Sequence, residues 1–138
     1  MKASGGCLCG AVRYEIDGQP MFMGHCHCRD CQKATGTGHV SVMVLPRAAV
    51  TITGETKAFA VTGSSGQSLT RHFCPTCGSL IYSDPAAMPG VVNVTAGTLD
   101  DPSLFQPQAA IFTRDRPAWD HLAGGLAEFE TMPARPGA

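Results

Sequence analysis

The 138-residue chain is long enough for one domain with a hydrophobic core, and its composition argues against several classes of protein. The formal net charge of −1 gives no electrostatic reason to expect nucleic acid or an anionic membrane as a partner. Charged residues make up only 15% of the chain, and 16 Gly with 10 Pro favour a turn-rich β protein over a helical bundle. No apolar run reaches the roughly 18 residues that cross a bilayer, and the first residues lack the apolar centre of a signal peptide. We therefore expect a cytoplasmic protein.

Alternating apolar and polar residues predict a series of short strands separated by glycine and proline turns. The predicted strands are residues 11–16, 21–23, 40–45, 50–53, 57–61, 69–73, 79–82, 91–96 and 111–113. Residues 4–10 predict a turn, while 32–36 and 102–105 each predict one helical turn. We expect a single, mostly β domain over residues 1–132 and a disordered tail over residues 133–138.

Seven cysteines are the strongest functional signal in the chain. A reducing cytosol keeps thiols free, and an odd number leaves one thiol unpaired in any disulfide scheme, so the pattern favours metal binding. Cys7 and Cys9 form a CxC pair, and Cys74 and Cys77 form a CxxC pair followed by glycine. Four thiolates are enough to close a tetrahedral zinc site. Because the two pairs are distant in sequence, we expect this zinc to join distant strands and to be structural.

The other three cysteines, Cys26, Cys28 and Cys31, form a CxCxxC motif. Three thiolates leave the fourth position of a zinc ion to a histidine, water or a ligand. One alternative is a closed Cys3His site that uses His25 or His27. A second is an open zinc that accepts a substrate atom, and a third is an exchange of one CxxC pair between the two sets.

Four segments of the chain resemble the glutathione-dependent formaldehyde-activating family, which includes the domain of centromere protein V. These segments are GGCLCGAVRY (5–14), CHCRDCQKATG (26–36), RHFCPTCGSLIY (71–82) and AGTLDDPSLF (96–105). The resemblance implies a folded-sheet, tent-like β domain stabilised by two zinc ions per chain. It assigns the four outer cysteines to a structural zinc, and Cys26, Cys28 and Cys31 to a second, catalytic zinc.

The activity that the resemblance implies is S-hydroxymethylglutathione synthase, a carbon–sulfur lyase by classification, which joins glutathione to formaldehyde. The expected partners are therefore a small thiol and an aldehyde. Zinc deprotonates a coordinated thiol, and a metal that already carries three thiolates is a poor Lewis acid, so thiol delivery is favoured over aldehyde polarisation. The alternatives are a non-catalytic zinc-binding interaction module and a related lyase that acts on a different thiol. The sequence leaves the oligomeric state open, with a homodimer among the alternatives.

Three cations lie beside the cysteine motifs. Arg29, Lys33 and Arg71 are candidates to bind the carboxylates of glutathione or to offset thiolate charge, with ordinary solvated side chains as the alternative. Ala110 stands where the family often carries a histidine. We expect Trp119, the single tryptophan, to pack in the core.

The remaining polar candidates have structural interpretations. His27 lies between two predicted ligands and is expected to point away from their metal, and His39 and His72 are expected to be structural histidines. Asp100 and Asp101 are expected to end a strand and stabilise a turn, without an acid–base role.

Overall fold

A computed structural model describes residues 1–134 and confirms the mostly β prediction. The strands are β1 (Lys2–Gly6), β2 (Arg13–Asp17), β3 (Phe22–Cys26), β4 (Val40–Pro46), β5 (Val50–Thr53), β6 (Lys57–Thr62), β7 (Ser68–Phe73), β8 (Leu80–Pro85), β9 (Val91–Thr95), β10 (Ala109–Ile111) and β11 (Ala127–Glu128). One α-helix, α1, spans Arg29–Thr35, and short 3-10 turns lie at Arg47–Ala49, Ala96–Thr98, Pro102–Leu104 and Thr113–Asp115. Most of the predicted tail, residues 135–138, lies outside the described residues. Within the described residues, no helix is long and apolar enough to cross a membrane.

The strands form two sheets. The larger has eight strands in the order β11-β10-β3-β4-β9-β8-β7-β6, and the smaller has three in the order β1-β2-β5. Neighbouring strands are antiparallel except that β10 runs parallel to both β3 and β11. This parallel pairing carries the C-terminal part of the chain alongside the segment that leads into Cys26.

The main core draws on both sheets. Tyr14 and Ile16 on β2 are buried, as are Met43 and Leu45 on β4 and Val92 on β9. Alternate residues of β2 are exposed or half-buried, which is the period-two pattern of a strand with one face on the core. Burial of these side chains, at roughly 25 cal/mol per Å² of apolar surface, is the main force that joins the two sheets.

The two cysteine sets lie in different packing clusters. Cys7 and Cys74 belong to the main core, whereas Cys26 and Cys31 pack with Phe112 in a second, smaller cluster. The fold therefore separates the two sets in space.

Several elements differ from the sequence prediction, among them β1 and α1. β1 spans residues 2–6 and so includes the first three residues of the turn predicted at 4–10, whereas the rest of that segment is a turn. A Cβ on Gly5 would collide with the Tyr14 hydroxyl, so glycine lets β1 lie close to β2. The helix begins at Arg29 instead of residue 32, because the Cys28 side chain caps its first turn. It ends at Gly36, whose φ of 74° is the left-handed conformation predicted there.

Trp119 was wrongly predicted to be a core residue, because its side chain is 65% exposed. It lies in an irregular surface segment, and the side chain that this segment directs inward is the neighbouring Asp120, which is only 9% exposed. The strand predicted at residues 111–113 lies at 109–111, and Phe112 leaves it with a φ of 53°.

Asp100 ties the turn after β9 to the smaller sheet. Its carboxylate accepts hydrogen bonds from both terminal nitrogens of Arg13 and from the Ser4 hydroxyl, the latter at 2.7 Å. These bonds, above all those from Arg13, lower the pKa of Asp100 to about 2. The turn role expected for Asp100 therefore includes a long-range ion pair.

We predict that Asp100→Asn lowers the Tm by a few degrees, with a difference that does not change between about pH 5 and pH 8. A lowered folded-state pKa contributes stability that is complete above the unfolded pKa and is lost only as the pH falls through the folded pKa of about 2. The difference should shrink at high ionic strength because the pair is half exposed. Asp101→Asn is the control, because the Asp101 carboxylate bonds to the nearby Ser103 and makes no long-range ion pair among the described residues. A Tm difference that grows between pH 5 and pH 8 would contradict this account.

Candidate metal centres

The four outer cysteines converge although the turns that carry them are distant in sequence. Cys7 and Cys9 lie in the turn after β1, and Cys74 and Cys77 lie in the turn between β7 and β8. All four Sγ atoms fall within 4.8 Å of one another, with 3.6 Å between Cys7 and Cys9 and 3.8 Å between Cys9 and Cys74. A tetrahedral zinc with Zn–S bonds of about 2.3 Å places its sulfurs about 3.8 Å apart. The geometry of this set therefore fits zinc.

Hydrogen bonds within these turns favour the thiolate form of Cys7 and Cys77. The Val12 amide donates a hydrogen bond to Cys7 Sγ at 3.2 Å and thereby lowers the pKa of Cys7. The Ser79 hydroxyl is 3.2 Å from Cys77 Sγ, and hydrogen bonds from Ser79 lower the pKa of Cys77 to about 5. Gly78, with a φ of 77°, folds the turn back on itself. Hydrogen-bonded thiolates on a folded turn are typical of a zinc knuckle.

The three inner cysteines form a separate group. Cys26 ends β3, Cys28 precedes α1, and Cys31 lies in its first turn, with all three Sγ atoms within 4.8 Å of one another. The Cys31 amide donates to Cys28 Sγ at 3.1 Å. Cys26 and Cys31 are buried, whereas Cys28 is half-buried, so the group is accessible to solvent on the side of Cys28.

The pKa shifts of the three inner thiols favour the binding of a cation. Hydrogen bonds from Cys26 and then Cys31, with a contribution from the Arg71 charge, lower the pKa of Cys28 to about 3. Hydrogen bonds with Cys28 and Cys31, together with burial, raise the pKa of Cys26. These contacts favour the thiolate form at Cys28, while burial disfavours a second negative charge beside it. A soft divalent cation would remove that penalty, and zinc binding to cysteine displaces the thiol protons.

Comparisons with known proteins assign the chain to a family. The sequence profile described as "Glutathione-dependent formaldehyde-activating enzyme" matches residues 2–115. The chain belongs to this family. A curated protein of Halomonas elongata that carries the same designation, given provisionally, is 25% identical over 133 residues, covering 86% of this chain and 80% of that protein. A crystal structure of a Rhodobacter sphaeroides protein matches with a TM-score of 0.58 at 19% identity, covering 75% of this chain and 96% of that one, and this likeness shows the fold.

The resemblance to the formaldehyde-activating family that the sequence predicted is therefore confirmed, but the site residues of this member rest on its own geometry. Across residues 1–134, the inner cysteine group contains no histidine. The His25 ring is 2.9 Å from the Ser41 hydroxyl, and the His27 ring donates to the Gly38 carbonyl at 2.9 Å. His27 thus points away from the sulfurs, and the arrangement favours an open three-thiolate site over a closed Cys3His one.

Of the three candidate cations, Arg71 is the one that reaches the inner cysteines. Its guanidinium donates to Cys31 Sγ at 3.8 Å from the middle of β7. Arg29 is exposed and bonds instead to the Gln32 side-chain oxygen, and Lys33 is exposed in the last turn of α1. Arg71 is therefore the candidate best placed to meet a substrate at the thiolates.

The structure also shows the surroundings of Ala110 and His72, two positions considered in the sequence analysis. Ala110, where the family often has histidine, is fully buried in β10 and lies opposite His25 in the parallel register with β3. His72 stacks on Tyr82 at 4.2 Å and contacts the Asp84 carboxylate at 2.8 Å. This is a packed, paired environment of the kind that the sequence led us to expect.

The sequence did not reveal a third polar cluster, formed by His27, His39 and Asp120. Its ring nitrogens and carboxylate lie within 4.8 Å of one another, although His39 and Asp120 are 81 positions apart. Neither Asp120 nor His39 stands in a spacing pattern typical of a site. The only sequence signal was the presence of two histidines around the CxCxxC motif.

Proposed function

We propose that this protein is a zinc-dependent carbon–sulfur lyase-type enzyme that forms S-hydroxymethylglutathione from glutathione and formaldehyde. The observation that carries the proposal is an accessible group of three cysteines with no fourth protein ligand among the described residues, in a member of the formaldehyde-activating family. A purely structural site would be expected to supply four ligands. The reduced thiols that both sets need fit the cytoplasm predicted from the sequence.

In this proposal the two cysteine sets have different roles. Cys7, Cys9, Cys74 and Cys77 would hold a structural zinc, and Cys26, Cys28 and Cys31 would hold a second one whose fourth position is left to the substrate. When bound, the second zinc would lower the pKa of the glutathione thiol, so that the thiol reacts as a thiolate at neutral pH. In the reaction a carbon–sulfur bond forms between that sulfur and the formaldehyde carbon. The proton that the thiol loses is balanced by the one that the new hydroxymethyl oxygen gains.

The residues of the chain contribute binding and charge balance. Three thiolates with one divalent cation carry a net negative charge, and a glutathione thiolate adds another. Arg71, half-buried and within contact of Cys31 Sγ, offsets part of this charge and can also donate to a glutathione carboxylate. Arg29 and Lys33, exposed on α1, are proposed to bind the more distant carboxylates.

Exchange NMR of glutathione with formaldehyde, with and without the protein, tests the reaction directly. The proposal predicts faster interconversion of free and hydroxymethylated glutathione when the protein is present. Cysteine and a second small thiol serve as parallel arms, because acceleration with one of these alone would identify a related lyase acting on a different thiol. An interconversion rate unchanged by zinc-loaded protein in every arm would show that the proposed reaction is wrong.

We predict that Arg71→Gln lowers kcat/KM for glutathione about 10- to 100-fold. This is the range expected when a charge-assisted hydrogen bond of about 1.5–3 kcal/mol is lost. Arg47→Gln is the control, because the Arg47 side chain donates to the Val50 carbonyl of its own turn, at 2.6 Å. Initial exchange rates measured at varied glutathione concentration give kcat and KM for glutathione. A kcat/KM for Arg71→Gln within twofold of the wild-type value would show that Arg71 does not bind the substrate.

A further inference from the structure

A polar cluster of one buried and two half-buried side chains includes His27, the residue between Cys26 and Cys28. The His27 side chain is fully buried, and its Nδ1 lies 2.9 Å from the Gly38 carbonyl and 3.1 Å from Asp120 Oδ2. The His39 ring donates from Nδ1 to the same carboxylate oxygen at 2.8 Å. One carboxylate from the C-terminal segment thus contacts two histidines that lie on either side of α1 in the chain.

The hydrogen-bond chemistry of this cluster argues against a metal ligand at His27 Nδ1. The Gly38 carbonyl and the Asp120 carboxylate are both acceptors, so His27 Nδ1 must carry a hydrogen in order to meet them. A protonated nitrogen has no lone pair for a metal. A Cβ on Gly38 would also collide with the Asp120 carboxylate, which shows how closely this oxygen packs on the backbone.

His27 connects this cluster to the cysteines. Its amide donates to the Ile111 carbonyl at 3.0 Å, and its carbonyl accepts from the Gln32 side chain at 2.7 Å. With its ring bonded as well, the residue between Cys26 and Cys28 is fixed at its amide, its carbonyl and its side chain. The Gln32 side chain also donates to the Asp115 carbonyl at 2.9 Å, so α1 and the C-terminal segment are joined at the same point.

A three-thiolate site needs such support more than a four-thiolate one does. With four protein ligands the metal itself completes the geometry, whereas an open site depends on neighbouring groups to keep its ligands in place. The cluster is also a costly way to fill a core, because His27 Nε2 is buried with no hydrogen-bond partner among the described residues. Apolar side chains of similar shape would pack there at lower cost, which indicates a role in geometry.

We propose that Asp120 is a positioning residue which, together with His39, fixes His27 and thereby the directions in which Cys26 and Cys28 present their sulfurs to a metal. This inference rests on the proposed function in one respect, namely that Cys26, Cys28 and Cys31 bind a metal. It adds that the C-terminal segment sets the metal affinity of that site.

Cobalt replacement tests the proposal without any substrate. Co²⁺ bound to thiolates absorbs light according to ligand number and geometry, so titration of wild-type protein reports both cysteine sites. Asp120→Asn, which keeps the shape of the side chain but removes its charge, is expected to weaken the inner site about 10- to 100-fold and to alter its absorption. The four-thiolate site should bind cobalt as in wild type, which also shows that the variant is folded.

Asp84→Asn is the matched control. It breaks another histidine–carboxylate contact of 2.8 Å, that with His72, and should leave the inner-site affinity within twofold. If Asp120→Asn does not fold, His39→Gln loosens the same carboxylate without removing it and should weaken the inner site several-fold. An unchanged inner-site affinity and spectrum in the folded variant would overturn the proposal. So would a third metal equivalent in wild type that Asp120→Asn abolishes, because the cluster would then itself bind metal.

These measurements separate the inference from the proposed function. If Asp120→Asn weakens the inner site while wild-type protein fails to accelerate the glutathione–formaldehyde exchange, the positioning role stands and the reaction is wrong. If the exchange is accelerated but the variant binds cobalt as wild type does, the reaction stands and the positioning role is wrong.

Discussion

Cys74→Ser should leave the chain without a stable fold. Cys74 is completely buried in the main core, and its sulfur lies 3.8 Å from that of Cys9, in a turn after β1. The proposed zinc therefore links the smaller sheet to the β7–β8 turn of the larger one. Structural zinc contributes on the order of 10–16 kcal/mol in zinc-finger peptides, and an ordinary domain is stable by only about 5–15 kcal/mol. Loss of this site should cost most or all of the stability.

Circular dichroism, thermal unfolding and the yield of soluble protein measure this effect. We expect Cys74→Ser to lack a cooperative transition, and we expect a strong chelator to unfold the wild-type protein. Cys28→Ser is the matched control, because it makes the same substitution in the inner set and should remain folded. A Cys74→Ser variant that melts cooperatively within a few degrees of wild type would show that this set does not stabilise the fold.

The strands that the sequence predicted well are those with a strong local pattern. The residues of β4 and β5 carry β-branched side chains between proline and glycine boundaries, and local chemistry alone defines them. β1 lacks such a pattern, because it includes Gly5 and Gly6 and forms through pairing with β2. Its existence depends on a close approach to Tyr14, which only the assembled sheet provides.

The same distinction applies to the candidate site. Cysteine spacing predicted which sulfurs are neighbours within each motif, because CxC and CxxC turns are local, and the structure places the seven sulfurs in two groups. The contact between His39 and Asp120 depends on the parallel pairing of β10 with β3, which returns the C-terminal segment to the inner cysteines. Trp119 carried the stronger sequence signal, but the inward-facing residue of that segment is Asp120. Which of two neighbours turns inward is decided by tertiary packing.

Cys28→Ser should give a folded protein that has lost the inner metal and the exchange activity. Cys28 is half-buried and lies outside the main core, so its replacement leaves the packing between the sheets intact. It also caps α1 by accepting a hydrogen bond from the Cys31 amide, and serine is among the best N-cap residues, so the helix should persist. What the variant loses is the thiol whose pKa is lowered by its contacts with Cys26 and Cys31, and with it one of the three sulfurs of the proposed site.

We therefore expect the zinc content of reduced Cys28→Ser protein to fall from two per chain to one, and the Tm to stay within a few degrees of wild type. The acceleration of glutathione–formaldehyde exchange should be abolished. Cys28→Ala is the companion variant, since it removes the helix cap as well as the ligand and should be less stable than Cys28→Ser by about 0.5–2 kcal/mol. If the two variants lose activity equally but differ in stability, the activity depends on Cys28 as a metal ligand and the stability on Cys28 as the helix cap. Retention of two zinc ions and of the exchange activity in Cys28→Ser would instead place the function away from the three inner cysteines.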